Sequence, residues 1–238
     1  APANPLDMLY SNRDDAYARR FIGNAQFDYK IHGFEDLRFN LNLGMDISST
    51  SGQVGSLPGS FNAYKDTENP RVGQYTDWYH LRRNTMLEAY ANYNKELDKH
   101  HIDVMAGYSW QHFYGKDRYV SKFNETNEIK LNPGEDELER YPWWQTEHYL
   151  VSFYGRLNYA FDSRYLLTFT LRYDGSSRFS PETRWGLFPS AAFAWNIKQE
   201  QFLRNSNTIS ALKFRLSWGK TGQQEIGSNY PYLAAYAL

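Results

Sequence analysis

The chain has 238 residues, a net charge of −1 and no cysteine, and 18% of its residues are aromatic. That size fits one all-β domain or one section of a larger one, and the charge balance gives no pull toward nucleic acid. Without cysteine there is no disulfide framework or thiolate metal site. No stretch reaches the roughly 18 consecutive apolar residues of a membrane-spanning helix, a test that strands escape because only alternate residues need face lipid.

Ala1 to Asp7 show neither a basic start nor an apolar core, so no signal peptide is read there. The first alternating segment runs from Arg20 to Ile31, with Phe21, Gly23, Ala25, Phe27, Tyr29 and Ile31 on one face and Asn24, Gln26, Asp28 and Lys30 on the other. A period of two means a strand with one apolar and one wet face. A short turn at His32–Glu35 leads into Leu37, Phe39, Leu41, Leu43, Met45 and Ile47, opposed to Arg38, Asn40, Asn42, Asp46 and Ser48.

A third strand covers Asn84 to Asn94 and a fourth Ile102 to Gln111, joined by a polar turn around Asp98. The fifth places Tyr149, Val151, Phe153, Gly155, Leu157, Tyr159 and Phe161 against Ser152, Arg156 and Asn158. Asp162, Ser163 and Arg164 turn it into a sixth, where Tyr165, Leu167, Phe169, Leu171 and Tyr173 oppose Thr168, Thr170, Arg172 and Asp174. The seventh sets Ala191, Phe193, Trp195 and Ile197 against Ser190, Ala192 and Asn196; the eighth sets Leu212, Phe214, Leu216 and Trp218 against Lys213, Arg215 and Ser217.

The links alternate between short and long, as the turns and outer loops of an outer-membrane barrel do. On this pattern residues 1–17, 48–77, 112–147, 175–184 and 220–238 are expected to be loops on the outer side. A soluble β-sandwich has no reason to segregate its links in this way.

Particular motifs sharpen the reading. Gly155-Arg156-Leu157-Asn158-Tyr159-Ala160-Phe161-Asp162, Arg172-Tyr173-Asp174-Gly175-Ser176-Ser177-Arg178-Phe179, Arg184-Trp185-Gly186-Leu187-Phe188-Pro189-Ser190 and Ser217-Trp218-Gly219-Lys220-Thr221-Gly222-Gln223 follow one another in order. They closely resemble the barrel of the SusC/RagA-type TonB-dependent transporters of Bacteroidetes outer membranes. The resemblance covers essentially the whole chain and is strongest from Val151 to Tyr232. It implies a 22-stranded barrel plugged by an N-terminal domain, energised through the TonB complex, closed by a SusD-like surface lipoprotein and importing oligosaccharides or peptides. The expected fold is therefore all-β, an antiparallel transmembrane β-barrel segment of about eight strands. Residues 1–238 are read as a partial barrel domain lacking plug and TonB-contacting segment. The alternatives are a self-contained eight-stranded outer-membrane anchor or adhesin, and a secreted carbohydrate-binding β-sandwich.

Candidate site residues carry two readings each. Tyr141, Trp143 and Trp144 suit stacking on sugar rings or packing against a lipoprotein lid, or else an aromatic girdle at the lipid boundary. Arg178, with Asp174, Gly175, Ser176, Ser177 and Phe179, either shapes a loop over the substrate path or pairs locally with Asp174 beside a glycine turn. Asp103, Arg156, Arg172, Asp174, Lys213 and Arg215 are expected to face a polar lumen. Glu135, Asp136, Glu137 and Glu139 lack the spacing of a calcium loop and read as a solvated acidic stretch. His100 and His101 point to opposite faces of a strand and make a poor metal pair. No catalytic triad, nucleophile elbow or phosphate loop is present, so no enzymatic step, metal or cofactor is expected.

Overall fold

The computed structural model describes residues 5–61, 63–65, 70–123, 136–227, 229 and 232. Its strands, in chain order, are β1 (Asn12–Lys30), β2 (Leu37–Ser56), β3 (Tyr64–Lys65), β4 (Pro70–Val72), β5 (Gln74–Leu97), β6 (His100–Phe123), β7 (Trp144–Phe161), β8 (Tyr165–Ser176), β9 (Trp185–Trp195) and β10 (Phe214–Gly219). Helical pieces are short: α1 (Pro5–Tyr10), α2 (Glu137–Arg140), and a 3-10 turn at Ile197–Gln199 that leads into α3 (Gln201–Arg204). Eight strands form one sheet in the order β1-β2-β5-β6-β7-β8-β9-β10, so each neighbours the next in sequence, while β3 and β4 pair separately. The eight alternating segments of the sequence are these eight strands.

Turn chemistry fixes the hairpins. Gly33 takes a φ of 81° between β1 and β2. Asp162 and Ser163 take 51° and 54° between β7 and β8, the left-handed pair that matches strand twist, in residues short and polar enough to tolerate it. The resulting register is continuous. Leu157 faces Phe169 and Tyr159 faces Leu167 across β7 and β8, and Leu167 faces Phe193 across β8 and β9. Phe193 in turn faces Leu216 on β10. One residue along, Ser152 faces Asp174, Tyr154 faces Arg172 and Asn158 faces Thr168.

Several strands run further than the sequence pattern foretold. β1 begins at Asn12, β5 begins at Gln74 and β6 continues to Phe123, so much of 1–17, 48–77 and 112–147 is paired strand rather than loop. The physical reason is that in these extensions polar and aromatic residues occupy both faces, as in Gln74, Tyr75, Thr76 and Asp77. Ladder hydrogen bonds persist where apolar alternation has stopped.

Two compact units emerge, one of residues Ala1–Ile22, Met45–Asn84 and Phe113–Glu147, the other of Gly23–Gly44, Thr85–His112 and His148–Leu238. Within the first, Tyr75 and Val120 are buried, and the Tyr141 hydroxyl donates to the Ser121 carbonyl at 2.9 Å. Within the second, the reverse of an ordinary core is seen. Phe27, Tyr29, Phe169, Leu171, Leu216 and Trp218 are 49% to 65% exposed, whereas Ser152 is buried completely. A side chain of this size gains about 1.5–3 kcal/mol on leaving water, so this many of them left exposed mark a surface made for an apolar neighbour.

Candidate functional site

The wet face of the second unit is a hydrogen-bonded surface built from alternate residues of β5 to β8. Arg172 Nε donates to both Asp174 carboxylate oxygens, at 2.8 and 2.9 Å, and its Nη2 reaches the Ser152 hydroxyl at 3.0 Å. Asp103 accepts from the amides of Asn92 and Asn158, both at 3.1 Å, and Thr168 donates to Asn158 at 2.9 Å. The Tyr154 hydroxyl donates to Glu88 at 2.7 Å. Three of the six expected lumen residues thus belong to this face's hydrogen-bond clusters. Arg156 lies beside Met105, its guanidinium 4.0 Å from the sulfur. Lys213 precedes β10 and Arg215 faces Ala194, and both are exposed.

Beside Arg172 the same face opens into a cavity of about 340 Å³, lined by Arg172, Asp174, Phe179, Arg184, Phe188 and Gln223 among others. Phe188 forms an aromatic wall, its ring lying where side chains on Gly186 or Gly222 would otherwise stand. The lining combines an aromatic ring, guanidinium groups, a carboxylate and amides, a set that suits a polar, hydroxyl- or amide-bearing guest. Sequence reading named Arg172 and Asp174 here but missed Arg184, Phe188 and Gln223. Their partnership is formed across the β8–β9 connection and the segment after β10, which no local spacing reports.

The Asp174–Phe179 motif does not work as expected. Gly175 is not a turn residue: it is a strand residue of β8 opposite Val151 and Trp185. A Cβ there would stand 2.8 Å from Trp185 ring atoms, so the glycine makes room for the indole. Nor does Arg178 pair with Asp174, whose oxygens are taken by Arg172. Arg178 is buried, and its Nη1 donates to the Gln224 carbonyl at 3.1 Å and meets the Glu225 carboxylate at 2.8 Å. It clasps the β8–β9 loop to the segment after β10, and holds the Glu225 carboxyl below the usual carboxylate range.

In the first unit the aromatic triplet divides. Tyr141 is tied down at both ends, its hydroxyl on Ser121 and its carbonyl accepting from Arg118 Nε at 3.0 Å. Trp143 lies under Lys116 Nζ, 4.4 Å from the ring centroid, with Arg118 at 5.5 Å and the Tyr79 ring at 6.3 Å. Trp144 opens β7 and is 68% exposed. Of the acidic stretch, Glu135 lies outside the described residues. Asp136 caps α2 by accepting the Glu139 amide at 2.7 Å, and Glu137 meets Arg118 at 2.7 Å. In the second unit His100 sits 2.7 Å from the Tyr159 hydroxyl. Among the described residues no group of three or more His, Asp or Glu side chains is placed to hold a metal ion.

Comparison with known proteins adds a family. Residues 2–237 match the model of the TonB dependent receptor-like, beta-barrel family. The chain is 39% identical over 246 residues to the TonB-dependent receptor SusC of Bacteroides thetaiotaomicron, covering 100% of this chain and 23% of that protein. It is 34% identical to the TonB-dependent receptor P3 of Formosa agariphila, covering 98% of this chain and 23% of that one. Among solved structures, the RagAB peptide transporter superposes with a TM-score of 0.80 at 22% identity, over 94% of this chain and 24% of the other. The RagAB peptide importer in its open-open state gives 0.78 at 23% identity. The chain thus spans less than a quarter of the relatives' length.

Proposed function

Since this chain belongs to the TonB dependent receptor-like β-barrel family, we propose that it forms part of the wall of an outer-membrane transporter that imports oligosaccharides or peptides. The observation that carries the reading is the two-faced register of β7 to β10: exposed apolar side chains on one face, and on the other the clusters around Arg172 and Asp103. A wall of this kind turns its apolar face to lipid and its wet face to a hydrated lumen.

On this proposal residues 1–238 are a partial barrel domain. Asp103, Arg156, Arg172, Asp174, Lys213 and Arg215 line the lumen, and the Phe188 cavity is a contact point on the substrate path. Trp144 and the Arg178 clasp contribute to the outer mouth, where a SusD-like lipoprotein closes over the substrate. The TonB complex acts through another region of the transporter. The wall moves cargo without a catalytic step, metal or cofactor.

Deleting the encoding gene and growing cells on oligosaccharides or on peptides as the sole nutrient tests this. Loss of growth on one of the two names the substrate class, whereas unchanged growth and uptake on both overturns the importer reading. Recovery of the full-length protein in the soluble fraction without detergent overturns the membrane wall itself.

A further inference from the structure

One face of the first unit carries two cations, Arg83 and Lys116, that among the described residues no carboxylate pairs with. Tyr79, Leu81 and Arg83 alternate along β5, and Tyr114, Lys116 and Arg118 along β6. The Arg83 guanidinium lies 5.0 Å from the centroid of Tyr114, and Lys116 Nζ 4.4 Å from that of Trp143. The next residues along point the other way and are paired: Asp117 accepts from Arg82 Nη2 at 2.8 Å and from His80 Nδ1 at 2.7 Å. On the aromatic side Glu137 is already bound to Arg118. Among the described residues Lys116 and Arg83 make no ion pair, and their recorded partners are aromatic rings.

The sequence alternation assigns the odd positions of β5, such as Leu87, Ala89 and Ala91, to the lipid side. The patch adjoins the long connection between β6 and β7, on the side expected to face outward. Trp and Tyr beside Lys and Arg is the composition of a membrane–water boundary. A cation held over a ring keeps its N–H donors directed outward, and phosphate oxygens are the acceptors that Lys and Arg take most readily there. We propose that Lys116, Arg83, Trp143 and Tyr114 form a docking patch for the phosphate groups of anionic lipid headgroups in the outer leaflet. Trp143 and Tyr114 seat the acyl–headgroup boundary, and the two cations hold the phosphates. An acidic protein partner fits less well, because it would have to reach a surface whose neighbours along the strand face acyl chains.

This inference rests on the membrane placement proposed above, and the experiment separates the two. The full-length transporter is reconstituted in vesicles of phosphatidylcholine alone, or of phosphatidylcholine with a diphosphorylated lipid A. Lipid retained after detergent extraction is then counted by native mass spectrometry. Wild type should retain lipid A in preference to phosphatidylcholine. Lys116→Gln or Arg83→Gln alone should weaken retention about fivefold and the pair about thirtyfold, at about 1 kcal/mol per cation. Lys116→Arg should keep it, as should the control Lys220→Gln.

Equal retention by the double glutamine variant overturns the patch, as does equal retention of both lipids by wild type. Displacement of lipid A by inorganic phosphate alone would make this an ordinary anion site and overturn the lipid assignment. A competing acidic peptide that displaces the lipid would transfer the surface to a protein partner. Failure of wild type to insert into either vesicle would overturn the membrane placement instead.

Discussion

On one side of β7 and β8, Phe153, Leu157, Phe169, Leu171 and Tyr173 stand 37% to 51% exposed; on the other, one residue along, Ser152 is sealed beneath Arg172 and Asp174. Backbone and register are shared, so side-chain parity alone separates the two surfaces. The apolar side offers rows of side chains with no polar atom to satisfy. The wet side brings charges close together and closes most of them into hydrogen bonds. That contrast is what a wall between lipid and water requires, and it can be broken deliberately.

The largest effect should come from putting a charge on the wrong side. Leu167→Arg faces Phe193 and Tyr159 in the register and should cost about 2–4 kcal/mol near the bilayer midplane. Thr170→Arg, three residues further along β8 and of opposite parity, should cost less than about 1 kcal/mol. Urea unfolding of the full-length protein in lipid measures both, and equal costs would remove the assignment of faces.

Next is Gly175→Ala. The added methyl presses on the Trp185 ring, which stacks on Tyr173 at 4.8 Å, and overpacking of this kind costs about 1–3 kcal/mol. A Trp185→Leu background should erase most of that penalty. If the penalty persists there, the glycine serves the backbone and not the indole. Asp103→Ala removes the acceptor shared by Asn92 and Asn158 and should cost about 1–2 kcal/mol, with part recovered by Asp103→Asn, which keeps one acceptor oxygen.

These positions also show how far residue order reaches. Alternation located all eight sheet strands, because the apolar side of each was written every second residue. Within the strands it put Leu167 and Phe214 on the apolar side, and the register sets them opposite Phe193 and Trp195. It failed where both faces are wet, so the start of β1, the start of β5 and the end of β6 passed for loop. It also misread Gly175, since a glycine after an aspartate resembles a turn when the Trp185 that needs its space lies ten residues away across β8 and β9. The Arg178 clasp was illegible for the same reason: Gln224 and Glu225 are brought to it by two intervening strands. Phe188 gave no local sign of lining a cavity, having the parity of the wet face and the chemistry of the other.

The smallest expected effect is also the most selective. At the turn between β9 and β10, Glu200 accepts from the Tyr165 hydroxyl at 2.6 Å, Trp195 Nε1 at 3.0 Å and Arg164 Nη1 at 2.9 Å. These donors, Tyr165 foremost, then Trp195 and the Arg164 charge, hold its carboxyl below the usual range. A carboxyl whose pKa is lower folded than unfolded stabilises the fold fully above the unfolded value, near 4.3, and loses that contribution as pH falls through the folded value. The knot should therefore hold from neutral pH down to about 5 and loosen below about 4. Glu200→Gln removes the charge at every pH and sets an amide against Arg164. The difference in unfolding midpoint between wild type and variant should be constant across the neutral range and shrink in acid, when the wild-type carboxyl takes up its proton. Parallel midpoints down to the lowest pH would mean that Glu200 contributes shape to this turn and not charge.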